Sequence, residues 1–191
     1  MTLRRFALAL GAVVVAVVVA WLLFVGVPRR YARSMRKAAP AGSPVVPSQP
    51  GRKIKARLFY VTDDGLRLTS AERDVPFGEG TVEQARRIVE AQLEPAAEPT
   101  VSAIPQGTTL RALFVTERGE AFVDLTHEVV GGRAGGSTGE ILTVYTLVNA
   151  LTANLPAVTS VQILVDGKQV ETLAGHVDLR RPLERNLTWV Q

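Results

Sequence analysis

Cysteine does not occur anywhere in the 191 residues. Its absence excludes disulfides, thiolate metal sites, a cysteine nucleophile and a lipid-modified cysteine, and says nothing further about redox compartment. Histidine is almost as scarce. His127 and His176 are the only two, so a metal site would need both of them plus a carboxylate such as Glu128 or Asp178; each reads instead as a histidine at the surface or at a strand end. Of the spacings that announce catalysis, H-E-x-x-H is missing, S-x-x-K occurs only as Ser34–Lys37 in a basic, proline-rich stretch, and G-x-S-x-G occurs only as Gly135–Gly139 inside a glycine-rich stretch with no strand directly before it. The adjacent acids Asp63 and Asp64, followed by Gly65, are ordinary turn chemistry. Nothing in these residues points to an enzyme, a metal or a cofactor.

Negative charge is absent from one part of the chain. Residues 1–53 hold nine Lys/Arg and no Asp or Glu, whereas residues 54–191 hold 13 Lys/Arg against 18 acids, a balance of −5. The overall charge of +4 is therefore set by the N-terminal quarter. A duplex-binding domain needs several cations on one folded face, and the folded part here is mildly acidic. No nucleic-acid partner is expected.

What the N-terminal quarter has instead is one long apolar run. After a tail of residues 1–5, Phe6 to Val27 carries no charge over 22 residues, which as a helix spans roughly 33 Å and matches a bilayer core. Arg4 and Arg5 precede it, Trp21 stands toward its far end, and Pro28-Arg29-Arg30 closes it. The run exceeds a usual signal-peptide core, and its best small-residue cleavage site, Val18-Val19-Ala20, falls inside it. Residues 6–27 are therefore read as an uncleaved single-pass anchor. Residues 28–53 are basic and proline-rich, with Pro40, Pro44, Pro47 and Pro50. Such chain is a semi-rigid linker, and Ala38–Lys53 in extended form reaches about 50 Å.

From residue 54 the pattern changes to short strands and helices. IKARLFYV (54–61), a TDDG turn and LRLTSAERDV (66–75) read as a hairpin. Thr81-Val-Glu-Gln84 resembles a capping box, after which Val82, Ala85, Ile88, Val89 and Leu93 recur at helical spacing up to Pro95. TLRALFVT (109–116) and EAFVDL (120–125) read as a second hairpin. A second helix carries Ile141, Val144, Tyr145, Val148, Leu151 and Leu155 on one face and stops at Pro156. VQILV (161–165), Asp166-Gly167 and KQVETL (168–173) read as a third hairpin. The order ββα-ββα-ββ predicts an α+β fold, a two-layer sandwich with a mixed sheet and both helices on one face.

The glycine-rich stretch GGRAGGSTGE (131–140) bears on function most directly. It supplies the first six positions of a phosphate-binding P-loop, but Ser137 stands where the lysine belongs, and five residues separate the loop from Leu125. Ser137-Thr-Gly-Glu140 fits a helix-entry capping box. The alternative is an anion or glycan contact made by Arg133, Ser137 and Thr138 at the helix start.

Several stretches together resemble the GerMN domain of the sporulation and spore-germination family. They are SAIPQGTTL (102–110), VDLT (123–126), GSTGEILTVYTLVNALT (136–152), VQILVDGK (161–168) and GHVDLRRPL (175–183). On this resemblance residues 54–185 form one GerMN-like domain, followed by a tail of residues 186–191. Departures are QLEPAAEP after the first helix, the missing lipid-attachment cysteine and the single copy of the domain. The resemblance implies a fold similar to ring-building motifs, a non-catalytic role, no cofactor, and a position outside the cytoplasmic membrane among envelope proteins.

The charges around the anchor argue the other way. Arg29, Arg30, Arg33, Arg36 and Lys37 follow it, against Arg4, Arg5 and the α-amine before it, and the positive-inside rule would keep the following domain in the cytoplasm. The resemblance covers a whole domain and takes precedence, so an extracytoplasmic domain is expected. Two roles follow: an anchored module that binds envelope proteins or its own copies, or a peptidoglycan or envelope-glycan binder. A glycan groove calls for exposed aromatics. Phe59, Tyr60, Phe77, Phe114, Phe122 and Tyr145 mostly fall at core-facing positions, with Trp189 the exception, so the interaction module is preferred.

Overall fold

The hairpin read at residue 54 is β1 (Lys53–Val61) and β2 (Leu68–Pro76), antiparallel with Lys53 opposite Pro76 and Val61 opposite Leu68. The Asp64 carboxylate closes the turn between them by accepting from the Thr62 hydroxyl and from the Leu66 amide. These coordinates are a computed structural model that describes residues 51–191 apart from 97–98 and 132–135. The anchor read at 6–27, most of the linker and Arg133 lie outside the described residues. Among the described residues no helix is long and apolar enough to cross a membrane.

Helix α1 (Gly80–Leu93) follows, burying Gln84, Ala85, Ile88, Val89 and Gln92. The expected capping box at Thr81–Gln84 does not form. The helix begins at Gly80, Glu79 makes no side-chain cap bond, and the Gln84 side-chain Oε1 accepts the Gly78 amide at 2.9 Å. Glycine at 78 permits this approach, since a Cβ there would lie 2.6 Å from the Gln84 nitrogen.

β3 (Leu110–Val115) and β4 (Glu120–Leu125) form the second hairpin, with a bulge between Leu110 and Ala112. Gly119 makes its turn at φ +83°, where a side chain would strike the Ala157 carbonyl. A single 3₁₀ turn at His127–Val130 leads toward α2 (Gly136–Asn154), and β5 (Ser160–Val165) then returns parallel to β4, completing a strand-helix-strand crossover. Asp166 (φ +50°) and Gly167 (φ +75°) are both left-handed, the geometry of a two-residue hairpin turn. They feed β6 (Lys168–Gln169), and later β7 (Leu183–Glu184) pairs antiparallel with the start of β5.

The fold is α+β, with two helices and seven strands among the described residues. The strands divide into a two-stranded sheet, β1-β2, and a mixed sheet in the order β3-β4-β5-β6 with β7 also on β5, where one sheet was expected. The reason lies in α2, which packs against β1, β5, β7 and α1. Its expected apolar face is buried at Val144, Val148, Leu151 and Leu155, but Leu142, Thr146, Leu147 and Asn149 are buried too. A helix covered on several sides has no single stripe for periodicity to reveal. The largest fully buried side chains, Tyr60, Phe59, Leu58, Leu68, Ile88, Leu125, Leu147 and Leu151, come from both sheets and both helices.

Two boundaries differ from the sequence reading. The third hairpin ends at Gln169 rather than Leu173, because the chain leaves the sheet to pass over Glu140. Residues 186–191, read as a tail, are tied in: the Leu68 amide donates to the Trp189 carbonyl at 2.7 Å, the Gln191 amide to the Leu68 carbonyl at 2.8 Å, and Asn186 is bonded to Asn149. Residues 51–191 form one compact unit.

Candidate functional site around Glu140

Glu140 sits in the first turns of α2 with its side chain fully enclosed. It does not reach back to cap its own helix as the box with Ser137 required. Since α2 begins at Gly136, Ser137 is already inside the first turn, and the carboxylate is free to point across to the segment after β6. There Oε1 accepts the Leu173 amide at 2.8 Å and Oε2 the His176 amide at 2.7 Å. Burial would raise the pKa of this carboxyl, but the amides of Ala174, His176, Leu173 and Val177 outweigh it and hold the group below its ordinary value. The His176 ring, 44% exposed, places Nδ1 3.1 Å from Oε2.

Glu140, Thr143, Gly136, Gly139, Val129, Val130, Leu173, Ala174 and His176 line a concavity of about 190 Å³. Pockets for drug-sized ligands run to about 300–1,000 Å³. Thr143 uses its hydroxyl on the Ala103 and Gly139 carbonyls at 2.8 and 2.9 Å. An ionised carboxylate whose lone pairs receive backbone amides has no proton to give and little basicity to offer. The arrangement is therefore chemically an anchor: it fastens the 173–177 segment and the 102–104 loop to the start of α2.

The candidate contact of Arg133, Ser137 and Thr138 divides. Ser137 is exposed and Thr138 half-buried on the first turn of α2, and Arg133 lies outside the described residues. His127 is on the 3₁₀ turn and His176 is on Glu140, and among the described residues no three potential ligands gather into a metal site.

The other stretches that carried the resemblance work the same way. Asp124 of VDLT accepts the Gly167 amide at 2.7 Å and the Arg111 Nε at 3.2 Å, and Arg111 also reaches Asp166 at 3.3 Å. The acid of one motif thus fixes the Asp166-Gly167 turn of another. Thr126 accepts the Thr109 amide through its hydroxyl, and Thr108 donates to the Pro105 carbonyl. Asn149 of LVNALT brackets Asn186, donating to its carbonyl and accepting its amide.

Sequence reasoning missed two side chains of the same kind. Gln92 accepts the Phe59 amide at 2.9 Å and donates to the Phe59 carbonyl at 2.8 Å. Asn154 does the same to Arg57, at 2.8 Å for both bonds. The signal was present for the first: Gln84, Ile88 and Gln92 are spaced i, i+4, i+8 on the buried side of α1, while Val82, counted as apolar core, is 43% exposed. Phe114 departs from its core-facing reading at 63% exposed, and Trp189, read as the exposed aromatic, packs partly against the core.

Comparison with known proteins places this arrangement. A family model described as "Sporulation and spore germination", named Germane, matches residues 57–171, more than half of the chain. The first GerMN domain of the sporulation protein GerM from Bacillus subtilis is similar in structure at 17% identity, with a TM-score of 0.54, covering 69% of this chain and 98% of that one. The tandem GerMN domains of the same protein match at 14% identity and a TM-score of 0.55, covering 70% of this chain. This chain accounts for only 46% of that tandem. A putative lipoprotein from Clostridium perfringens matches at 19% identity and a TM-score of 0.50, covering 69% of this chain and 87% of that one. At these identities the likeness is one of fold. No curated protein matches the chain.

Proposed function

Because this chain belongs to the Germane family of sporulation and spore germination proteins, we propose that its folded domain is a non-catalytic interaction module of the bacterial cell envelope. In this reading residues 6–27 anchor it in the cytoplasmic membrane, residues 28–53 hold it off the surface, and the domain stands on the outer side. It acts by binding envelope proteins or further copies of itself. The observation that carries the reading is where the motif side chains go: Glu140, Thr143, Asp124, Asn149 and Thr126 all bind backbone or neighbouring side chains within the fold. Residues that spend their polar atoms on holding loops preserve a surface shape, and shape is what a binding module presents.

The test is crosslinking of the full-length membrane protein in intact cells, followed by purification. Recovery of a defined envelope protein or of cross-linked copies supports the module. Recovery of wall fragments alone would replace it with the peptidoglycan-binding role, and protection of the domain from protease in intact spheroplasts would move it to the cytoplasm.

A further inference from the structure

The mixed sheet ends on β3 with backbone groups that nothing among the described residues takes up. The Thr116 amide donates to the Glu120 carbonyl, and the register sets Phe114 opposite Phe122 and Ala112 opposite Asp124. Alternation in an antiparallel pair then turns the amides and carbonyls of Ala112 and Phe114 toward β4, and those of Leu113 and Val115 outward. Among the described residues no hydrogen bond reaches the outward groups. Beside them stands Phe114, 63% exposed, the most exposed large apolar side chain described.

We propose that β3 pairs with β3 of a second copy of this chain, antiparallel about a two-fold axis at Phe114. The proposal deepens the interaction-module reading and rests on it. Three features fix this register. Outward groups must face outward groups, which allows axes at Leu113, Phe114 or Val115. An axis at Leu113 would require pairing at Arg111, where the strand is bulged and the guanidinium is held by Asp124 and Asp166. An axis at Phe114 joins Leu113 to Val115 of the second copy twice over and sets the two Phe114 rings opposite each other. It also brings the Glu117-Arg118 turn of each copy to the Arg111 end of the other. Arg118 is already paired with Glu120 at 3.4 Å and Glu117 arrives beside it, so charge does not select this register and the ring pair does. An axis at Val115 does not provide the ring pair. Two mixed sheets joined in this way form one continuous sheet across the axis.

The chain contains no cysteine, so single introduced thiols report the pairing cleanly. Residues facing each other without mutual backbone bonds have Cα atoms about 4.5 Å apart, within the range a disulfide spans. In the full chain in mild detergent, F114C is expected to oxidise to a covalent dimer at least about tenfold faster than S70C, an exposed position on β2. To keep the phenylalanine in place, A112C mixed with T116C is expected to cross-link between copies, while neither does so alone. By sedimentation the wild-type chain is expected to dimerise with concentration, and Phe114→Lys to remain monomeric with an unchanged melting temperature. Equal oxidation of F114C and S70C, or dimers that survive Phe114→Lys, would overturn the β3 pairing while leaving the interaction module intact. A monomeric chain that also yields no envelope partner in cells would remove both.

Discussion

Two strand edges of this domain, those of β1 and β3, are treated in opposite ways. Along β1 the outward backbone groups fall at Lys53, Lys55, Arg57, Phe59 and Val61, and the last three of these residues are engaged: Arg57 by Asn154, Phe59 by Gln92, and the Val61 amide by the Val101 carbonyl at 2.8 Å. Along β3 the corresponding groups of Leu113 and Val115 have no partner among the described residues. The difference lies in what arrives beside each strand. Gln92 is the penultimate residue of α1 and Asn154 the last of α2, so both helices end with an amide against β1, and a side-chain amide carries the same donor and acceptor pair as a neighbouring strand. Although α1 packs against β3, among the described residues no side-chain amide reaches its outward groups, and an open edge is a template for another strand.

The largest effect expected from breaking the closed edge is at Gln92. It is fully buried, and Gln92→Ala leaves both the amide and the carbonyl of Phe59 unsatisfied where water does not reach. A loss of about 3 kcal/mol is expected, measured by urea unfolding of the full chain. Amide exchange at Phe59 should rise with it.

Glu140→Gln comes next, at about 2 kcal/mol, because an uncharged amide accepts fewer of the 173–177 amides and turns a donor toward them. The same site sets an acid dependence. Its pKa in the folded state is lowered from the ordinary 4.5, so the stabilisation is complete above that value and is lost as pH falls through the folded one. Wild type and Glu140→Gln should therefore converge in stability as pH falls below the ordinary 4.5 and through the lower folded-state pKa, where the buried carboxylate protonates; a gap that stays constant throughout that fall would show that the carboxylate's charge contributes nothing.

Asn154→Ala should cost only about 1 kcal/mol, since its bonds to Arg57 are exposed and water can replace them. If Asn154→Ala matches Gln92→Ala, burial is not what separates the two brackets. Phe114→Lys on the open edge should change stability by less than about 0.5 kcal/mol, as an exposed side chain with no engaged polar atom. Its effect belongs to association alone.

The hairpins and both helices were legible because each rests on local chemistry: the Asp64 turn, the Asp166-Gly167 turn, Pro95 and Pro156 beyond the helix ends. The capping boxes were not. Thr81–Gln84 and Ser137–Glu140 have the right residues at the right spacing, yet Gln84 goes to Gly78 and Glu140 to a segment more than thirty residues away. A carboxylate or amide near a helix start takes the best donors available, and only the folded chain determines which those are.

By itself the sequence determined the composition of the parts: a charge-free run of bilayer length, a linker without acids, an α+β alternation, and motif stretches sufficient for the family resemblance. These depend on residue type and near-neighbour spacing, which the chain carries with it before folding. Tertiary structure decided where the polar atoms of those motifs are used, that α2 is packed from several sides, that the strands split into two sheets, and that β1 is closed from Arg57 to Val61 while β3 is left open. Each of these depends on groups far apart in sequence meeting in space, such as Gln92 with Phe59 and Asn154 with Arg57, and no local pattern records such a meeting.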